Sequence, residues 1–375
     1  MSHIANIASA NAIGTVLIMA GGTGGHIYPA LSIARNLHSR GYRTEWLGTA
    51  RGLEVDLLRD TDIPLHFIDV KGVRGKGLKS ILLAPFMIFS SVLQSLRVLR
   101  QVNPCCVLGM GGYVTGPGGV AARLAGRQLL IHEQNAIAGF SNRLLAPIAN
   151  RVLEAFPGTF RAAPKVICTG NPVRAEIVAL TGMAQRLRES GESLRILVVG
   201  GSLGAVAINR LIPAALQLLE GVNRPQVWHQ TGRSNLEETR TLYANADLTI
   251  NDACRVDAYI HDMAAAYAWA DMVICRAGAA TVSEIAAAGL PSLLVPFPHA
   301  VDDHQTRNAQ WLSTAGAALL MPQNALNEVA LAARLQEFMN DRGLLLSMAG
   351  SARALARPEA SDLVALECME ACKGK

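Results

Sequence analysis

No stretch of this sequence reaches the ~18 consecutive apolar residues that span a bilayer, so a membrane-crossing helix is not expected. The N-terminus has no basic segment ahead of a long apolar core, and no secretory signal is expected either. The seven cysteines (Cys105, Cys106, Cys168, Cys254, Cys275, Cys368, Cys372) show neither a CxxC pair nor Cys/His metal spacing. Four fall in or beside apolar runs, which reads as buried thiols in a reducing cytoplasm. Aromatic residues make up only 5% of the chain, yet 50% is apolar, the balance of a soluble α/β enzyme rather than a disordered or fibrous chain. No glycine loop has GxGxxG followed by an acidic residue about 20 positions on, and none ends in Gly-Lys-Ser/Thr. Nicotinamide and ATP chemistry both lose ground.

At 375 residues the chain is long for one core, and two domains are expected. Thr15–Leu37 opens with a short aliphatic run, Val16–Ala20, continues through Gly21-Gly22-Thr23-Gly24-Gly25-His26, and resumes apolar residues at helical spacing (Ile27, Ala30, Leu31, Ala34, Leu37). That is strand, glycine loop, helix. Glycines let backbone N–H groups approach a ligand, and a helix N-terminus adds partial positive charge, so a phosphate is the natural guest. Strand-like runs recur at Thr44–Thr49, Leu65–Val70, Cys105–Met110, Leu129–Glu133, Arg151–Phe156 and Lys165–Thr169. A second series begins with strand Ile196–Val199 and loop Gly200-Gly201-Ser202-Leu203-Gly204. It continues at Gln226–Gln230, Leu248–Ile250, Met272–Cys275 and Ser292–Pro296. Strand–helix alternation implies parallel sheets. The fold class is therefore α/β, two doubly wound Rossmann-like halves, with a ligand expected in the cleft at the carboxyl ends of the strands. The seam falls near Gly170–Arg174. The domains are expected at 12–172, 173–357, and 358–375, the last a helix at about Ala360–Ala371 packing back toward the first domain.

The net charge of +5 is uneven: residues 1–190 hold 20 Lys+Arg against 10 Asp+Glu, the remainder 14 against 19. A basic half points to an anionic partner such as nucleic acid, acidic lipid or a phosphorylated substrate, or is ordinary surface scatter. Lys71–Lys79 is basic and glycine-rich and runs into nine apolar residues, Ile81–Phe89. Such a segment either lies in a membrane interface, its cations on lipid phosphates, or is a buried helix after a loop.

Three further stretches carry chemistry. Arg276–Glu284 follows a strand and opens a helix; its small residues leave room for a phosphate, and Glu284 suits a ribose diol. In His299–Asn308, Asp303 or Gln305 suits a sugar, whereas His299, Asp303 and His304 make no tidy metal-ligand set. His132-Glu133-Gln134-Asn135 ends a strand of the first half, where polar residues are more often site than scaffold.

Together GGTGGHIYPALSIA, GMGGYVTGPGG, HEQNAIAGFSNRLLA, TGNPVR, GGSLGA and the run from Asp262 to Ala309 resemble one family over about Val16–Ala356. It is the MurG family, the UDP-N-acetylglucosamine–N-acetylmuramyl-(pentapeptide) pyrophosphoryl-undecaprenol N-acetylglucosaminyltransferases of glycosyltransferase family 28. The resemblance implies a GT-B fold, no cofactor, and inverting transfer from UDP-N-acetylglucosamine to lipid I, giving lipid II. It implies partners limited to these substrates and an anionic membrane surface, without nucleic acid, at the cytoplasmic face of the inner membrane. Carried over, the substrate contacts are Thr23, Gly24, Gly25, Asn135, Arg174, Ser202, Ile260, Ala279, Ala280, Thr281, Val282, Ser283, Glu284 and Gln305, with His304 the competitor of Gln305. Glu284 would hold the ribose, the start of the Ala279 helix the phosphates, and Ile260 the uracil. The membrane patch would comprise Lys71, Arg74, Lys76, Leu78, Lys79, Ile81, Leu82 and Phe86. No metal is implied. His26 is the expected general base, since an imidazole exchanges protons near neutral pH. A UDP-sugar epimerase of the same architecture and a non-catalytic binding module are the alternative classes.

Overall fold

The structure, a computed structural model, describes residues 12–70, 78–180, 193–201, 204–219 and 224–374, with backbone only at 78–84 and 301. The chain forms two compact units, one running to Val173 and including Arg357–Lys375, the other Arg174–Ala356.

The first unit is built on strands β1 (Thr15–Met19), β2 (Arg43–Gly48), β3 (Leu65–Phe67), β4 (Cys106–Gly109), β5 (Gln128–Glu133), β6 (Arg151–Glu154) and β7 (Val166–Cys168). They form one parallel sheet in the order β3-β2-β1-β4-β5-β6-β7. Its helices are α1 (Gly24–Ser39), α2 (Leu53–Leu58), α3 (Leu78–Val102), α4 (Thr115–Leu124) and α5 (Phe140–Leu145). Helices cover both faces, so β1 is aliphatic without alternation. Val16 and Ile18 pack with Ala30, Ala34 and Leu37 of α1; Leu17 and Met19 turn the other way, toward Leu99, Val114 and Ala121. Each fully buried Val, Leu, Ile or Met side chain among them contributes roughly 1.5–3 kcal/mol.

The second unit repeats the plan with β8 (Arg195–Val199), β9 (Gln226–Gln230), β10 (Cys254–Asp257), β11 (Met272–Cys275), β12 (Ser292–Leu294) and β13 (Ala318–Leu320), ordered β10-β9-β8-β11-β12-β13. Its helices are α6 (Ala175–Val178), α7 (Val206–Gln217), α8 (Leu236–Asn245), α9 (Met263–Trp269), α10 (Ala279–Ala288), α11 (His304–Thr314), α12 (Glu328–Asn340) and α13 (Arg342–Ala354). The strand expected at Leu248–Ile250 is not one. The chain there leaves a positive φ at Asp247 and turns at Asn251, whose Oδ1 accepts from the N–H groups of Ala253 and Cys254. The edge strand is Cys254–Asp257 instead, hidden from an apolar search by Arg255, which lies over Trp228, and Asp257, which accepts from Trp228 Nε1.

The last helix, α14 (Ala360–Lys373), belongs to the first unit. It packs Val364, Ala365 and Cys368 into the α1 side of the core. Asp362 accepts from Asn36 Nδ2 and pairs with Arg40, and these partners hold its carboxyl below the usual carboxylate range. Its end brings Cys372 to Cys105, to which it is joined by a disulfide, Cα atoms 4.8 Å apart. This corrects the expectation of thiols throughout: the two cysteines are 267 residues apart in sequence, and only the return of α14 to β4 makes them neighbours. Cys106, Cys168, Cys254, Cys275 and Cys368 are free.

Among the described residues no helix is long and apolar enough to cross a membrane. Yet α3, which buries Val92, Val98 and Leu99, exposes large apolar side chains nearer its start. Phe86, Phe89 and Leu93, at i, i+3 and i+7, share an exposed face, with Phe86 76% accessible. On the other side Ser91 and Ser95 are buried, satisfied by carbonyls of Asp69, Met87 and Ser91.

Candidate active site

Each sheet has a switch point where its strand order reverses, between β1 and β4 in the first unit and between β8 and β11 in the second. Ligands of doubly wound sheets bind there, beyond the strands' carboxyl ends.

At the first switch point Gly21–His26 leaves β1 and Met110–Val114 leaves β4. The two turns touch backbone to backbone: a Cβ on Gly112 would fall 2.3 Å from the carbonyl oxygen of Gly21, at a φ of +82°. Gly112→Ala therefore has to part the two loops and adopt a left-handed conformation costing roughly 1–2 kcal/mol by itself. A fall in the thermal midpoint is the expected result; an unchanged midpoint would sink this account of the contact. Gly111, with φ +102°, lies under the ring of His26, where an added Cβ would sit 2.8 Å from both Cε1 and Nδ1. His26, in the first turn of α1, directs Nδ1 at Oε1 of Gln134, 2.9 Å away. Gln134 in turn reaches His132, whose Nε2 lies 3.0 Å from the Gly170 carbonyl.

At Gly22 the opening glycine loop is occupied by protein rather than open to a ligand. The buried carboxylate of Glu54 stands against it, accepting the N–H of Gly22 at 3.4 Å and the N–H and hydroxyl of Thr49. Thr23 is the N-cap of α1 without a side-chain cap bond, and Gly24 and Gly25 begin the helix. Glu133 organises the following turn, its carboxylate accepting from Asn135, Gly139 and Asn142. Nothing in the sequence marked Glu54 or Gln134 above its neighbours.

At the second switch point α10 begins just beyond β11, its N-cap Gly278 offering no side-chain bond. Ala279 and Ser283 are buried, and Val282 is fully so, its N–H donating to Gly278. Val282 is thus a core residue, and the first turn of the helix is formed by Ala279, Ala280 and Thr281. Glu284 is held from both sides: Arg174 donates to Oε1 through Nη2 (2.8 Å) and Nε (3.2 Å), and Tyr267 donates its hydroxyl to Oε2 (3.1 Å). Burial pushes the Glu284 carboxyl up, opposed by Arg174 and Tyr267. Sequence reasoning paired Arg174 with this site but missed Tyr267, buried at the end of an alanine-rich helix. Gln305, in the first turn of α11, fixes the preceding loop by accepting the N–H of Phe297 at 2.9 Å. Ile260 is buried in the loop after β10. Ser202 and the cations Lys71, Arg74 and Lys76 lie outside the described residues, as do the side chains of Leu78, Lys79, Ile81 and Leu82. Among the described residues, His299, Asp303 and His304 are not gathered into a metal-binding group.

Gly200–Gly204 also spells G-x-S-x-G, the spacing of a hydrolase nucleophile elbow. The histidine of the adjacent strand cannot serve as its base. His229 is fully buried between Tyr243 and Asn209, and burial pushes its pKa down to about 3.

Two doubly wound parallel sheets in one chain are the architecture of the GT-B class, and the matches to glycosyltransferase domains give the class its activity. Residues 16–154 match the glycosyltransferase family 28 N-terminal domain and residues 195–364 its C-terminal domain. The chain belongs to glycosyltransferase family 28. It is 55% identical, over 96% of its length and 99% of the relative's, to the UDP-N-acetylglucosamine–N-acetylmuramyl-(pentapeptide) pyrophosphoryl-undecaprenol N-acetylglucosamine transferase of Pseudomonas paraeruginosa. It is 53% identical, with the same coverage, to the enzyme of that name from Azotobacter vinelandii. The crystal structure of Acinetobacter baumannii MurG superposes with a TM-score of 0.81 at 43% identity, covering 95% of this chain and 99% of that one. A putative UDP-N-acetylglucosamine 2-epimerase from Listeria monocytogenes shares the fold at 14% identity, with a TM-score of 0.67 and coverage of 93% and 94%.

Proposed function

We propose that this enzyme transfers N-acetylglucosamine from UDP-N-acetylglucosamine to the C4 hydroxyl of N-acetylmuramate in undecaprenyl-pyrophosphoryl-MurNAc-pentapeptide, with inversion. The identity to transferases of that name over nearly the whole chain supports the reading. The observation in the structure that carries it is His26, an imidazole at a switch point with its ring seated on Gly111 and one nitrogen committed to Gln134.

The second unit holds the donor. Glu284 accepts from the ribose hydroxyls, Ile260 meets uracil through its backbone, and the N–H groups opening α10 face the diphosphate, where helix partial charge favours an anion. Arg174, Ser202 and Gln305 complete that set. The first unit holds the acceptor pyrophosphate near Thr23, Gly24, Gly25 and Asn135. The acceptor O4 attacks the anomeric carbon as the bond from that carbon to the UDP oxygen breaks. His26 takes the hydroxyl proton, and the charge left on UDP is stabilised by the α10 amides.

Transfer of labelled N-acetylglucosamine to a lipid pyrophosphate acceptor tests this directly. Isomerised UDP-sugar formed without acceptor would mark an epimerase, and binding without turnover a carrier module.

The enzyme works peripherally at the cytoplasmic face of the inner membrane, docked through the segment that ends in the exposed face of α3. An apolar face beside cations binds anionic bilayers by inserting the one and pairing the other with lipid phosphates. Charge reversal at Lys71, Arg74, Lys76 and Lys79 together releases the protein from anionic vesicles, at about 1 kcal/mol per cation; unchanged co-sedimentation would count against this surface.

A further inference from the structure

We propose that His132 and Gln134 are positioning residues that fix His26 as its Nδ1–H tautomer, leaving the Nε2 lone pair to receive the acceptor's proton. The inference rests on the reading of His26 as the base, and it follows from a chain of hydrogen bonds whose polarity is set at one end.

That end is the carbonyl of Gly170, which can only accept. His132 Nε2 lies 3.0 Å from it and therefore carries a proton. His132 is fully buried, and desolvation pushes its pKa down to about 4, so the ring is neutral and its Nδ1 is an acceptor. The side-chain amide of Gln134 has one atom 3.1 Å from that nitrogen, and an oxygen there would set lone pair against lone pair. The amide nitrogen must face His132, where it also lies 3.3 Å from that residue's own carbonyl. The amide oxygen is thereby turned to His26, 2.9 Å from Nδ1. Oxygen can only accept, so Nδ1 of His26 carries the proton. When neutral, His26 then has its lone pair on Nε2. Gly111 lies so close to the same ring that an added Cβ would fall 2.8 Å from two of its atoms, so the imidazole is seated as well as assigned. Two groups that never meet the substrate decide which nitrogen of the base is basic.

The test is nitrogen NMR of the ¹⁵N-histidine-labelled full chain, above the pH range in which imidazoles ordinarily titrate, with the His26 signals assigned by their loss in His26→Gln. His26 is expected to show a protonated, pyrrole-like Nδ1 and an unprotonated, pyridine-like Nε2. The opposite pattern overturns the proposal. Gln134→Leu removes the acceptor and is expected to mix the two tautomers. Turnover should fall roughly tenfold to 10²-fold with both KM values held, less than the ~10⁴ measured where a catalytic histidine is trapped in the wrong tautomer. An unchanged NMR pattern in Gln134→Leu overturns the relay. The wild-type pattern alone decides the tautomer, whatever the leucine variant's folding. His132→Phe removes the acceptor that orients the Gln134 amide and is likewise expected to mix the tautomers of His26; an unchanged pattern there also overturns the relay. Altered tautomers with unaltered turnover would support the relay while removing His26 as base, so the two readings fail separately.

Discussion

Replacing His26 by alanine lowers turnover about 10²–10⁴-fold, the range expected when a positioned general base is removed. The Michaelis constants for both substrates change little, because the ring is committed to Gln134 and to the Gly111 backbone rather than to a ground-state contact. Steady-state kinetics with each substrate varied in turn separates the two effects. A loss in turnover below about tenfold, with acceptor affinity intact, would remove His26 from the base role. His26 belongs to neither apolar core cluster, so the folding cooperativity of the variant should match that of the parent.

Replacing Glu284 by alanine acts on the donor instead. The kcat/KM for UDP-N-acetylglucosamine falls about 10²-fold, mainly through KM, the size of a lost charge-assisted hydrogen bond of about 1.5–3 kcal/mol. Two causes add. The ribose loses its acceptor, and Arg174 and the buried Tyr267 hydroxyl lose the carboxylate that holds them. Because burial pushes the Glu284 carboxyl up, acid weakens donor binding at a higher pH than an ordinary glutamate would allow. In Glu284→Gln that acid limb disappears. Donor KM unchanged in Glu284→Ala would exclude a ribose contact at this position.

Much of the fold was legible because parallel strands covered on both faces are continuous aliphatic runs, and such runs are hard to mistake. Val16–Met19, Ile196–Val199 and Met272–Cys275 read as buried strands and are buried strands. The reading failed at the sheet edges. Cys254–Asp257 carries two charges and Ala318–Leu320 is three residues long, so neither stands out as an apolar run. The glycine loops were legible as strand-to-helix turns, but not what stands beside them. Glu54 is one acidic residue in a short helix, and its place against Gly22 depends on β1 and β2 lying side by side.

The amino-acid sequence by itself determined the two doubly wound halves, the glycine-rich turns that open each of them, and the family to which the motifs belong. These are local patterns, written in residues adjacent along the chain. The tertiary structure alone decided the contacts that depend on strand order. It joined Cys105 to Cys372, placed Tyr267 and Arg174 on Glu284, and aligned Gly170, His132, Gln134 and His26 into one directed chain of hydrogen bonds. Hydrogen-bond polarity is a property of atoms a few ångströms apart, and 108 residues separate His26 from Gln134. Only the packing of β4 between β1 and β5 brings the turns that carry them together.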